Sequence, residues 1–403
     1  MDKQLNTSLP SWLLPLYFVM LGFTFISVPH TSSTYILYAR LIQAFELLFF
    51  FLLLIQTFKR GIRLNRFNTS TNIWWLFYTF LTYLFVVDTV GLTPLFKWMN
   101  IIIFLLLGTC YWQDSMLHSI KYLAVVFSFL IYSNAILLIL YPDGLWVDEE
   151  WVGRGDATRY LFGNYNQIGF VCLLGITTQS IYSFSAKKGY FNLICLILVS
   201  IASVIFVGSM TSIVCLILLA LGILLRRFIM QFSKTILVTF FVIYILFFIF
   251  IVWYGNSIET VRLATIFIEK ILSKSTDFTA RTYIWENAIH KIGQSPWIGY
   301  GVQSVEWNDT YLGGSGAHNL WLMLMLQGGG VLCGLFVYIL LYTIKYTLKK
   351  KNVTSILGVV GIIVLLIMSL FEACNVIQIF LLLQLVYYSS RLTDNTNDII
   401  TNN

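Results

Sequence analysis

Long, uninterrupted runs of apolar side chains restrict the fold of this chain more than any other feature of its sequence. Of the 403 residues, 58% are hydrophobic and only 11% are charged, a balance that excludes an ordinary soluble domain. A helix needs about 20 apolar residues to cross the hydrocarbon core of a bilayer, and within a helix every backbone polar group can be satisfied internally. We therefore predict an all-α polytopic membrane protein.

Twelve apolar runs are candidates for membrane-spanning helices. Their approximate bounds are 12–28, 35–58, 73–87, 95–112, 122–140, 162–184, 191–206, 211–225, 236–254, 318–344, 353–371 and 376–389. Two long polar loops interrupt this pattern, at 141–160 and 255–317, and we expect short helices in the second, between spans 9 and 10. The prediction is one integral membrane domain, 1–403, that ends in a disordered polar tail, 391–403.

The distribution of basic residues predicts the orientation of the chain. When alternate loops are assigned to opposite sides, most lysines and arginines fall on the side that also holds both termini. Short loops rich in Lys and Arg favour the cytoplasm, so both termini are predicted to be cytoplasmic and both long loops to be extracellular. The net charge of +7 is then a topology signal. We predict no nucleic-acid partner, because such a partner needs a clustered basic face on a soluble surface.

The segment from Arg281 to Gly334 carries the residues best suited to chemistry. His318 stands at the predicted start of span 10, directly before Asn319. The positive end of a helix dipole disfavours a protonated imidazole, so a neutral His318 could act as a base. The alternative is that His318 only caps the helix. Arg281 and Trp285 lie upstream, in a predicted helix that runs from Thr279 to Ile292.

Several arginines in or near the outer loops could bind phosphate. The planar guanidinium matches two phosphate oxygens at once, and Arg281, Arg159 and Arg154 all lie in outer segments. Each of the three could instead pair with nearby acids, and Arg154 has several within reach along the chain. Arg40 lies inside span 2, where an ionisable residue is a functional candidate by default. Arg40 and Glu46, also in span 2, could equally be polar contacts inside the bundle.

Amides and acids near the outer boundary complete the candidate site. Asn164 and Asn166 precede or begin span 6 and could bind sugar hydroxyls, although helix caps and interhelical hydrogen bonds explain them nearly as well. Glu306 and Asp309 lie between the predicted loop helix and His318, and could act as an alternative base or could orient the imidazole. No outer carboxylates show metal-ligand spacing, so we predict no metal and no cofactor.

The order of these residues resembles the shared motif of the O-antigen ligase and Wzy-type polymerase superfamily. The resemblance rests on Arg281, Trp285, Pro296, Gly299 and Gly301, then on His318-Asn319, and then on Gly328, Gly329 and Gly334. Upstream, the spacing of Arg159, Gly163, Asn164 and Asn166 is similar to a second motif of that superfamily. The turn Gly208-Ser209-Met210-Thr211 sits where many members carry Ser-Arg.

This resemblance implies a GT-C-like membrane glycosyltransferase, such as a bacterial capsular or O-antigen polymerase. Its donor would be a glycan on undecaprenyl pyrophosphate, used at the outer face of the cell membrane, and its acceptor a sugar hydroxyl on another lipid-linked repeat unit. His318 and Arg281 would be catalytic. Arg159, Arg154 and Arg40 would bind the pyrophosphate. Contacts to sugar or acceptor would come from Asn319, Asn164, Asn166, Trp285, Glu306 and Asp309.

The chemistry implied by the resemblance agrees with these residue types. A pyrophosphate leaves as a stable anion, so it needs charge stabilisation more than protonation. A direct displacement would invert the anomeric centre. Besides membrane lipid, flippase and chain-length regulator proteins would be partners.

Two other functions are also compatible with the sequence. A ligase would move a finished glycan to a different acceptor, and a transporter or flippase would move the lipid-linked sugar without chemistry. Transporters usually carry internal repeats and helices broken near the midplane. No repeat is apparent in the sequence, and its polar residues concentrate at the outer rim. An enzyme is therefore favoured over a transporter.

Overall fold

A computed structural model describes residues 13–27, 33–60, 65–90, 95, 98–99, 101–103, 112–148, 157–253, 277–314, 316–372 and 374–392. Its α-helices are α1 (Leu13–Phe23), α2 (Ser33–Arg60), α3 (Arg66–Val90), α4 (Trp112–Leu140), α5 (Tyr165–Ala186), α6 (Tyr190–Phe206), α7 (Met210–Leu224), α8 (Arg226–Gln231), α9 (Ser233–Phe247), α10 (Asp277–Gln294), α11 (Val305–Leu312), α12 (Leu320–Leu348), α13 (Val353–Met368) and α14 (Val376–Ser389). Helix α9 continues as a π-helical segment, Phe248–Trp253.

Five segments of the described chain are helical, long and apolar enough to cross a membrane. They are Leu37–Ile55, Met116–Leu140, Tyr165–Ala186, Ser233–Phe250 and Leu320–Leu348. Shorter apolar helices accompany them at Leu14–Phe23, Tyr190–Phe206, Met210–Leu224, Val353–Met368 and Val376–Ser389. The fold is thus an all-α polytopic bundle. The predicted total of twelve spans stays a prediction, because most of the fourth run, 95–112, lies outside the described residues, as does most of the predicted tail, 391–403.

Helix α5 is the centre of the bundle. Nearly all of its side chains are buried, and it packs against α4, α6, α7, α13 and α14. Its buried residues include Thr177, Thr178 and Gln179, and small or polar side chains of this kind are expected where a membrane helix faces other helices. Close packing against α7 depends on Gly169, because a side chain there would lie 2.1 Å from Ser212 Oγ. The first turn of α5 is thereby held directly beside the first turn of α7.

The polar loop predicted at 141–160 contains a small antiparallel hairpin. Strand β1 (Trp146–Val147) pairs with β2 (Thr158–Arg159), with Trp146 opposite Arg159. An isolated bridge between Tyr160 and Gly163 then leads the chain into α5. The hairpin therefore places Arg159 at the same end of the bundle as the first turn of α5.

Helix α12 is broken at Gly329, and a loop segment fills the break. Gly329 has φ 60° and ψ −163°, a region of backbone space that only glycine adopts readily. The N–H groups of Tyr300 and Gly301 donate to the carbonyls of Leu326 and Gln327, at 2.7 and 3.0 Å. These bonds satisfy carbonyls that a helix break would leave without partners.

The other side of the break is closed in the same way. Gly330 N–H donates to Pro296 O at 2.7 Å, and Val331 N–H to Trp297 O at 3.3 Å. The segment 296–301 thus pairs with both halves of α12. The glycines of the Pro296-to-Gly334 motif have a structural explanation here, since a Cβ on Gly329 would lie 2.1 Å from the carbonyl carbon of Trp297.

We expect Gly329→Ala to destabilise the protein by about 2 kcal/mol or more, because it combines a strained backbone with a backbone clash. Gly334→Ala is the matched control, since no atom lies within 4 Å of a Cβ added there. Thermal unfolding of the purified protein in detergent should show a lower melting temperature for Gly329→Ala alone. Equal melting temperatures in both variants would contradict the assigned role of the break.

Candidate functional site

Helix α10 carries Arg281 into the bundle. Trp285, Ala288 and Ile292 form the buried face of this helix, and they pack with Leu322 and Leu326 of α12. Arg281 lies four residues before Trp285, so both side chains leave the same face of α10. The Arg281 charge also acts on the imidazole of His318, which lies directly before α12.

His318 is held between two anchored neighbours. Before it, the carbonyl of Ala317 accepts the indole N–H of Trp285 at 2.9 Å. After it, Asn319 caps α12 by accepting from the N–H groups of Trp321 and Leu322. Asn319 also donates to Leu370 O at 2.9 Å. His318 itself has φ 45°, a left-handed conformation uncommon outside glycine. The alternative that His318 caps α12 is wrong, since Asn319 is the cap.

A buried carboxylate, Glu372, lies where α5, α7 and α10 meet the turn after α13. It is 3% exposed and forms an ion pair with Arg281, whose Nη2 donates to Oε1 at 3.1 Å. Thr211 of α7 also donates to Oε1, at 3.3 Å, and Asn166 of α5 donates to Oε2 at 2.6 Å. Removing one partner of a buried ion pair costs about 3–5 kcal/mol, so this contact also stabilises the site.

The polar network continues from Glu372 to the start of α7. Asn166 Oδ1 accepts from Ser209 Oγ at 2.9 Å, and Ser209 Oγ lies 2.7 Å from Ser212 Oγ. Each of these side chains is less than 9% exposed. Because unsatisfied polar groups are costly inside an apolar bundle, the network fixes the relative positions of α5, α7 and the turn after α13.

Burial and Arg281 together keep the imidazole of His318 neutral. Burial, followed by the positive charge of Arg281, lowers the pKa of His318 from 6.5 to about 4. The sign follows from the charges, since both influences disfavour the protonated cation. The sequence predicted a neutral imidazole from the helix dipole. The tertiary structure adds two further causes, burial and the charge of Arg281.

The structure places the predicted arginines differently from one another. Arg159 is 9% exposed and forms an ion pair with Asp148 at 3.3 Å. Arg40 is exposed on α2, where its Nη1 lies 3.4 Å from Gln43 Oε1. Arg154 lies outside the described residues. Among these four arginines, Arg281 is the one whose charge acts on His318. The phosphate-binding roles of Arg159, Arg40 and Arg154 stay predictions.

The residues predicted to contact sugar also have structural contacts. Trp285 is 1% exposed and Asn319 is 1% exposed, and the polar groups of both are used in the contacts that hold His318. Asn164 caps α5 by accepting from Gln167 N–H at 3.2 Å. Glu306 is exposed and Asp309 partly buried, both on α11. The sugar contacts predicted for these residues and for Asn166 stay predictions.

Sequence reasoning missed Glu372, Thr211 and Ser209 as members of the site. A signal was available for Glu372, because it is an acid in a very short segment between two apolar runs, where a charge is unusual. Its partners are 91, 161 and 206 residues away in the chain. No spacing pattern connects residues so distant, so only the packed structure reveals the network.

Comparison with known families supports the resemblance drawn from the motifs. A family model described as O-antigen ligase matches residues 193–338, about a third of the chain. The match confirms, over that segment, the resemblance predicted from the motifs, and it supports a glycosyltransferase-like membrane enzyme. It includes Arg281 and His318 but not Asn166 or Glu372. No curated protein matched the chain.

The low pKa of His318 can be tested directly. We expect ¹⁵N-histidine NMR of the protein in nanodiscs to show a neutral His318 down to about pH 5, with the signal assigned by its loss in His318→Asn. Arg281→Gln should raise the midpoint, because it removes a positive charge that opposes protonation. A midpoint near 6.5 in the unmodified protein, or no rise in Arg281→Gln, would contradict this electrostatic assignment.

Proposed function

We propose that this protein is a polysaccharide polymerase that transfers a glycan from undecaprenyl pyrophosphate to a sugar hydroxyl of a second lipid-linked repeat unit. The observation that carries the proposal is the O-antigen ligase match over residues 193–338, which include both Arg281 and His318. The charge of Arg281 and burial keep the imidazole of His318 neutral. One group is suited to accept a proton and the other to bind an anion. The transfer is proposed to take place at the outer membrane face, without a metal, and to invert the anomeric centre.

Arg281 is the proposed binding group for the pyrophosphate. Its Nη2 donates to Glu372, and among the described residues its guanidinium makes no other hydrogen bond or ion pair. A guanidinium has five N–H donors in a fixed plane, so several remain for phosphate oxygens. As the glycosidic C–O bond breaks, its electron pair passes to the phosphate oxygen, and Arg281 stabilises the charge that develops there.

His318 is the proposed general base. The acceptor hydroxyl attacks the anomeric carbon, and its proton passes to the neutral imidazole as the new C–O bond forms. A pKa of about 4 makes His318 a weak base before the donor arrives. The bound pyrophosphate would offset the charge of Arg281, and this would raise the pKa of His318. Donor binding would thus strengthen the base only when there is a substrate to attack.

The proposal is tested with lipid-linked repeat units extracted from the host, added to the protein in nanodiscs with a metal chelator and without nucleotide sugar. The unmodified protein should give a ladder of polymer lengths on a gel. We expect His318→Asn to lower the rate by about 10²–10⁴-fold and Arg281→Gln by about 10²–10³-fold. Asparagine tolerates the left-handed backbone of position 318, so this variant removes the imidazole with little strain.

His290→Asn is the matched control, because His290 is exposed on α10 and takes no part in the proposed site. It should leave the ladder unchanged. A ladder that persists in both site variants would refute the assignment of Arg281 and His318. A single product on a different acceptor would identify a ligase instead. In sealed vesicles that contain the protein, movement of the lipid between leaflets without any product would identify a transporter.

A further inference from the structure

The ionic partner of Arg281 is a carboxylate outside the segment that matches the family model. Glu372 lies beyond residues 193–338, which match the family model. Its Oε1 accepts from Arg281 at 3.1 Å, and its own side chain is only 4% exposed, against 19% for Arg281. A carboxylate beside an anion-binding group weakens anion binding by charge repulsion, so its presence there requires an explanation.

The contacts of Glu372 fix its position independently of Arg281. Asn166 donates to Oε2 at 2.6 Å from α5, and Thr211 donates to Oε1 at 3.3 Å from α7. The backbone of the same turn is attached to α12, because Leu320 N–H donates to Ser369 O at 2.9 Å. Glu372 is therefore a fixed acceptor in the frame of the bundle, and its distance from the start of α12 is also set.

Arg281, by contrast, is held mainly by this carboxylate. It lies near the start of α10, and among the described residues Glu372 is its only hydrogen-bonded partner. Long arginine side chains otherwise extend towards water. Glu372 anchors one N–H of the guanidinium at 3.1 Å, and the remaining donors are left for other acceptors.

We propose that Glu372 is a positioning residue: as the resident counter-ion of Arg281, it aims the guanidinium at the pyrophosphate and limits how tightly that pyrophosphate is held. The inference rests on the proposed function. When the glycosidic bond breaks, the lipid pyrophosphate gains a negative charge, because it keeps the electron pair of that bond. The repulsion from Glu372 therefore acts more strongly on the product than on the donor, and it favours release after transfer.

Two variants separate positioning from packing. Glu372→Gln removes the charge but keeps the shape, and it turns one acceptor into an amide donor that faces the Asn166 amide. The double variant, Glu372→Gln with Asn166→Asp, restores that hydrogen bond, since the carboxylate introduced on α5 can accept from both the new amide and the Ser209 hydroxyl. The negative charge is then one side chain farther from Arg281. Glu286→Gln is the matched control, because Glu286 is an exposed carboxylate on α10.

The experiment measures binding and turnover separately in nanodiscs. Undecaprenyl pyrophosphate without sugar is the binding probe, and polymer formed at saturating donor gives the turnover rate. We expect both Glu372 variants to bind the probe several-fold more tightly and to turn over at least 10-fold more slowly than the unmodified protein. The double variant regains the hydrogen bond to α5 but not the ion pair, so it should melt between Glu372→Gln and the unmodified protein, and Glu286→Gln should leave both quantities unchanged. Glu372→Asp keeps the charge and should recover part of the turnover.

Tighter binding of the probe together with slower turnover in the Glu372 variants is not expected if Glu372 only packs the helices together. Full recovery of turnover in the double variant, or unchanged turnover in Glu372→Gln, would overturn the inference. Weaker binding of the probe in the well-folded double variant would also overturn it. The binding measurement needs no transfer reaction. An unmodified protein that binds the probe but forms no polymer would therefore refute the proposed function, while the affinity shift would still decide whether Glu372 limits pyrophosphate binding.

Discussion

The ion pair between Arg281 and Glu372 is the contact on which the arrangement of the candidate site depends. Ionised groups are costly in an apolar bundle unless they are paired and hydrogen-bonded, and Glu372 meets that condition with donors from three helices. These donors can be satisfied together only if α5, α7, α10 and the turn after α13 are all in place. The hydrogen bonds that stabilise the Glu372 carboxylate thus also hold the elements of the site together.

The broken helix α12 supplies the second constraint. His318 lies directly before its first half. At the break, Gly329, the helix forms backbone hydrogen bonds with the segment that follows α10. Backbone hydrogen bonds on both sides of the break join loop and helix into one unit, as is required wherever helix geometry is lost inside an apolar environment. Both ends of α10 are therefore fixed, one by the ion pair and one by the break. The position of Arg281 relative to His318 is consequently fixed.

Much of the fold could be predicted from the sequence, because apolar runs and turn residues are local signals. Helix α10 was predicted at Thr279–Ile292 and is found at Asp277–Gln294, since an apolar face, a glycine and a proline define it within a few residues. Helix α11 was covered only by the general expectation of short helices in the loop 255–317, without bounds, and the β1–β2 hairpin was not predicted. They are short, and their stability depends on neighbours that a local pattern does not contain.

For the site, the sequence by itself determined which residue types could do chemistry: Arg281 and His318 stand out because charged and imidazole groups are rare in so apolar a chain. Only the tertiary structure decided what surrounds them. It joined Trp285 to Ala317 on one side of His318 and Asn319, on the other side, to Leu370. It also brought Glu372 to Arg281 across 91 residues of chain. The physical reason is that burial and charge pairing depend on distance in space, which separation along the chain does not specify.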